Sequence, residues 1–60
     1  MTRFTMTATR VGDWWALECL EVPGALTQVR DLAEAESMMR EAIAFVAEVP
    51  EDSFEVVLVR

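Results

Sequence analysis

Sixty residues with a net charge of −6, five arginines, no lysine, no histidine and a hydrophobic fraction of 53% make one small domain, too apolar for a disordered tail. The acidic balance argues against direct binding of nucleic acid and for a basic partner, and without histidine or lysine there is no ordinary general base near neutral pH, no Schiff-base amine and no phosphate-loop lysine. No apolar run approaches the roughly 20 residues that span a bilayer and the N-terminus lacks the apolar block of a signal peptide, so a soluble, cytoplasmic protein without membrane contact is expected.

Residues 3 to 10, RFTMTATR, alternate Phe4, Met6 and Ala8 with Thr5, Thr7 and Thr9, which predicts a strand with one apolar face and one threonine face. Gly12-Asp13 supplies a two-residue turn, and Trp14 to Leu20 returns as the second strand. That turn pairs Val11 with Trp14, Ala8 with Leu17, Thr7 with Glu18 and Met6 with Cys19, so the apolar faces of the two strands coincide. Cys19 then sits beside Met6 as a small packed hydrophobe; it is alone, so no disulfide forms, and no histidine exists to activate it. Trp15 points inward and Trp14 lies on the threonine face, where it is read as a contact residue for self-association.

Glu21 to Gly24 makes the next reversal and Ala25 to Val29 a short third strand, whose inward face five residues do not assign. Asp31 is placed to cap a helix, with Glu34 three residues on as the second half of a capping box. From Leu32, the apolar residues Ala35, Met38, Met39, Ala42, Ile43, Phe45, Val46 and Val49 fall in one arc of roughly 160°, a helix that covers one face of a sheet. Val49-Pro50 ends it. Met38 and Met39 read as core filling, and Glu36 and Arg40, four apart, as a local surface pair. Glu34, Glu41 and Glu48 are spaced by seven and lie within about 40° of one another, beside the Met38 and Phe45 edge of the arc. They are either a solvated face or, with Phe45, a docking surface for a basic partner.

The last stretch, Phe54 to Arg60, carries Val56, Val57, Leu58 and Val59 without interruption, so both of its faces look buried. One helix covers only one face, and a second copy of the chain is the economical cover for the other, with Trp14, Val57 and Val59 as the self-association residues. A dimer or higher oligomer is also what a 60-residue chain without disulfide or metal needs. A helix between strands of one sheet normally makes a right-handed parallel crossover, so the last strand should run beside the first. The expected class is α+β: a three-stranded antiparallel meander, one amphipathic helix on one face, and a fourth strand parallel to the first. Residues 1–60 read as one domain without a separate DNA-binding segment, although the strand still runs at Arg60, as it would in the front piece of a longer protein.

Trp14-Trp15, Pro23-Gly24, Thr27-Gln28 followed by Asp31-Leu32, Glu34-Ala35 and Glu41-Ala42-Ile43 together resemble the HicB-like antitoxin family, over roughly Phe4 to Val46. The family's glycine after Thr-Gln is Val29 here. The resemblance implies a partial ribonuclease H-like fold and the binding of a small basic messenger-RNA-cleaving toxin of the HicA type. An orphan oligomerisation domain of the same fold, without a toxin, is the alternative. A ribonuclease H-like catalytic centre needs carboxylates converging on two divalent cations, and the middle of the first strand offers only Met6, Ala8 and threonines. No catalytic, metal or cofactor residues are therefore assigned, and the chain is not expected to be an enzyme.

Overall fold

The alternation along residues 3 to 10 becomes a ten-residue strand, β1 (Thr2–Val11), in a computed structural model that describes residues 1–59. Gly12, at φ +61°, takes the positive backbone angle that the tight turn needs, and β2 (Trp14–Cys19) returns antiparallel. All four expected pairs are present, from Val11 opposite Trp14 to Met6 opposite Cys19. Gly24, at φ +97°, makes the second reversal, closed by bonds from the Ala25 amide to the Val22 carbonyl and from the Cys19 amide to the Ala25 carbonyl, each 3.1 Å. β3 (Leu26–Val29) then pairs antiparallel with β2, Trp15 opposite Val29 and Leu17 opposite Thr27. This register settles the face that five residues left open: Thr27 and Val29 share the side of Leu17, and Leu26 and Gln28 the other.

β4 (Phe54–Val59) runs parallel to β1, from Thr2 opposite Phe54 to Thr7 opposite Val59, giving the sheet order β3-β2-β1-β4. The fold is the β-β-β-α-β arrangement expected. Arg60 lies outside the described residues.

The helix begins differently in detail. Asp31 Oδ1 accepts from the Ala33 amide at 2.9 Å, as a cap should, but the Glu34 amide donates to the Asp31 carbonyl, also at 2.9 Å. Residues Leu32–Glu34 consequently form a 3-10 turn, tighter than a capping box, and the helix proper is α1 (Ala35–Ala47). It stops two residues before Val49-Pro50: Glu48 turns left-handed at φ 57°, and the Val49 amide reaches back 3.2 Å to the Ala44 carbonyl.

α1 rests on the sheet along Ala35, Met39 and Ile43, which with Met6, Leu17, Cys19, Val29 and Phe54 form the core. Cys19 is buried beside Met6 as expected. Met38, expected in the core, is 39% exposed, and Phe45 is 85% exposed. At about 100° per residue they stand about 100° and 120° around the helix from Met39, so the apolar arc is wider than the strip that a sheet can cover. Arg40 is more than half of a local surface pair. Its Nη2 meets Glu36 at 2.9 Å, and its Nη1 donates to the Glu51 and Phe54 carbonyls, both at 2.7 Å. It thereby ties the loop before β4 to the helix, its guanidinium over the Phe54 ring. Among the described residues no helix is long and apolar enough to cross a membrane.

Candidate functional site

Two surfaces stand out, on opposite sides of the molecule. The first is the outer flank of α1, where Met38, Glu41, Ala42 and Phe45 border a shallow depression completed by Thr27 and Glu51. The Phe45 ring projects there because residue 45 belongs neither to the 35-39-43 line on the sheet nor to the polar back of the helix. Glu41 precedes it by one helical turn, so the two side chains share that flank. Glu34 and Glu48 do not continue the same helical face: Glu34 closes the 3-10 turn and Glu48 is the left-handed residue after the last turn. Each lies seven residues from Glu41, about 10 Å along the axis at 1.5 Å per residue. The structure therefore joins Glu41 to Phe45 and sets Glu34 and Glu48 at the two ends. The ion pairs among the described residues are Arg3–Glu55 and Arg40–Glu36, and neither involves Glu34, Glu41 or Glu48.

The second surface is the face of the sheet that α1 leaves open. Alternation along β1 and β2 brings Thr5, Thr7, Thr9, Trp14 and Ala16 to it, and the β4 register adds Val57 beside Thr5 and Val59 beside Thr7. Trp14 is 39% exposed and lies under the Arg30 guanidinium, 4.6 Å from the ring centre. Trp14 and Val59 are opposite Val11 and Thr7, so they stand about 13 Å apart along β1 at about 3.3 Å per residue. Between them Thr7, Thr9, Ala16, Glu18, Leu26 and Gln28 line a depression of about 400 Å³. Leu26, 61% exposed, Val11, 59% exposed, and Leu20, 58% exposed, are large apolar members that sequence reading did not assign to this surface. The signal for Leu26 was the β2–β3 register, which the Pro23-Gly24 reversal could have supplied.

Glu21 is the carboxylate with the most defined environment. Where β2 has ended, its Oε1 accepts from the Thr5 amide at 2.7 Å and its Oε2 from the Thr5 hydroxyl at 2.8 Å, so the side chain stands in for a strand partner. These bonds hold its carboxyl below the usual value of 4.5. Among the described residues no three histidine, cysteine, aspartate or glutamate side chains gather as metal ligands.

No family model, no curated protein and no solved structure matches this chain. What can be argued about function therefore comes from these two surfaces and from the local motifs. The α1 flank offers an exposed aromatic ring with Glu41 beside it and Glu34 and Glu48 at the two ends, and among the described residues none of these carboxylates is in an ion pair. The open face offers β-branched and aromatic side chains with little net charge, since Arg3 offsets Glu55 and Arg30 accompanies Glu18.

Proposed function

We propose that the chain is a HicB-like antitoxin domain that binds and neutralises a small basic messenger-RNA-cleaving toxin of the HicA type in the cytoplasm. The observation that carries this reading is the Phe45 ring, 85% exposed beside Glu41 on a helix whose other large apolar residues are at most 40% exposed. The β-β-β-α-β order with β4 parallel to β1 agrees with the fold that the motif resemblance implies. A protein that cuts RNA must attract phosphate, so its working surface is basic. An inhibitor occupies that surface by offering carboxylates in place of phosphates and one apolar anchor to slow escape. Neutralisation here is steric and electrostatic, with no chemical step on this chain and no direct contact between these residues and nucleic acid.

The test is a binding measurement against a small basic protein encoded beside this one. Phe45→Ala should speed dissociation, because a buried aromatic anchor contributes about 2 kcal/mol or more. Reversal of Glu34, Glu41 and Glu48 to lysine should slow association, and less so at high salt. If the triple reversal leaves binding and neutralisation unchanged in a folded protein, the docking surface is not this flank.

The open sheet face favours a second reading, that the chain is a homo-oligomer held through Trp14, Val57 and Val59, with or without a toxin. If no basic partner binds while light scattering still gives at least twice the chain mass, the orphan oligomerisation domain is the better description.

A further inference from the structure

β4 is an edge strand with no strand beyond it, and among the described residues it carries none of the usual edge protection. It is six residues long, it contains no proline or lysine, and its single charge, Glu55, sits near one end and pairs with Arg3 at 3.4 Å. The opposite edge, β3, has only four residues and lies under the part of the sheet that α1 packs against most. β4 is also wet on both sides. On the open face Val57 and Val59 are 39% and 48% exposed. Under the helix Val56 and Leu58 are only half-buried, and with Met6, Leu32, Ala33 and Ala35 they line a groove of about 230 Å³ where the core stops short of the sheet edge.

We infer that β4 pairs antiparallel with β4 of a second copy of this chain, across a two-fold axis at Val57. This deepens the self-association reading and rests on it. A copy laid on the open face would cover Val57 and Val59 and leave Val56 and Leu58 wet. A strand added at the edge brings apolar neighbours to both sides at once, because an antiparallel partner aligns like face with like face. Charge selects the same occupant. Joined at the α1 flanks, two copies would bring Glu34, Glu41 and Glu48 together, whereas the β4 edge brings no like charges face to face.

The register follows from the same argument. Pairing about Val57 sets Glu55 across from Val59 of the partner and Val56 across from Leu58 of the partner. Sliding by one residue would oppose inward and outward side chains. Sliding by two, to an axis at Val56, would bring the two Glu55 carboxylates to diagonal positions about 7 Å apart. Sliding by two the other way shortens the ladder. The product is one continuous eight-stranded sheet with both helices on the same side, which leaves both Phe45 flanks and most of both open faces free.

Cross-linking and mass together test this on the full chain. Val57→Cys should give a disulfide-linked dimer under mild oxidation, since directly opposed antiparallel residues lie within disulfide reach, and the buried Cys19 does not compete. Val57→Lys, which sets two ammonium groups opposite each other on a solvent-accessible position, should weaken the dimer about tenfold or more while the circular dichroism spectrum stays that of the wild type. Leu26→Lys, at the far edge of the open face, should leave the dimer unchanged. A wild-type monomer at about 100 μM, where a homodimer of micromolar Kd is mostly assembled, would overturn self-association itself. A dimer that Leu26→Lys dissociates, or that Val57→Cys fails to cross-link, would overturn the β4 pairing and leave self-association standing.

Discussion

Trp14 and Trp15 are adjacent in the chain and stand on opposite faces of the sheet. Trp15 lies on the side of Leu17 and Val29 and packs at the margin of a core in which Met39 and Ile43 are fully buried. Trp14 lies on the other side, among threonines, with Leu20, Leu26 and Val11 all more than half exposed. The covered face is a finished interior, whereas the open face leaves large apolar side chains in water. The difference places the stability of the sheet on its covered side, and substitutions on the two faces should divide accordingly.

The sharpest division is between Met39→Ala and Leu26→Ser. Met39 is fully buried between helix and sheet, so its truncation should cost about 3 kcal/mol, from lost transfer energy and the cavity left behind. In a domain this small that is a large share of the total, and thermal melting should show a loss of roughly 15 °C or outright unfolding. Leu26→Ser removes as large an apolar side chain from the open face and should change subunit stability by less than about 0.5 kcal/mol. Equal losses in the two variants would mean that the open face is already an interior in the folded protein.

Arg40→Ala comes next, at about 2 kcal/mol, since the Glu51 and Phe54 carbonyls lose a charged donor and the Phe54 ring its cover. Hydrogen exchange should show the loss concentrated in residues 50–54. Uniform loss across the sheet would mean that Arg40 braces the whole fold and not the entry to β4.

These sites also show what was legible in the sequence. The β1–β2 register could be read because turn chemistry and alternation pointed to one answer, and the parallel β4 because a single crossover has one preferred hand. Arg40 could be read only as a partner of Glu36: the two carbonyls that it holds are eleven and fourteen residues away and depend on how the loop folds back. Met38 was misplaced because helical periodicity gives an angle and not the width of the sheet beneath. Leu26 was missed because a four-residue strand carries too little alternation to choose a face, whereas the face of Leu20 follows from the β1–β2 register one residue past Cys19. At the candidate site, Phe45 and Glu41 could be paired from spacing alone, whereas Glu34 and Glu48 depended on where the helix starts and stops.

Glu48 offers a smaller effect of opposite sign. A glutamate at φ 57° carries backbone strain that glycine does not, and its charge sits at the negative end of the helix. Glu48→Gly should therefore stabilise the fold by about 1 kcal/mol. Because Glu48 is also one of the three carboxylates proposed to meet a basic partner, the same variant should bind such a partner no faster than wild type. A more stable variant with slower association separates the two roles; a destabilised one would mean that the left-handed turn is held by contacts of the glutamate side chain.

The smallest effect concerns the one carboxylate that touches both sides of the sheet. Glu21 accepts from the Thr5 amide and hydroxyl, the hydroxyl lying on the open side, and its Oε1 stands 3.8 Å from the Cys19 sulfur on the covered side. Its carboxyl titrates below 4.5 in the folded chain because the Thr5 amide and hydroxyl stabilise the ionised form. A group with a lowered folded value contributes stability that is fully present above the unfolded value and is lost as pH falls through the folded one. Wild type should therefore lose this contribution as the pH falls below the unperturbed value of 4.5. Glu21→Gln keeps an acceptor for the Thr5 amide but has no charge to lose, so it should melt below wild type at pH 7, and the gap should narrow as the pH falls below 4.5. If the two melting curves stay parallel from pH 7 to pH 3, the Glu21 bonds to Thr5 do not survive in solution, and the end of β2 is held by the Leu20 amide on the Thr5 carbonyl alone.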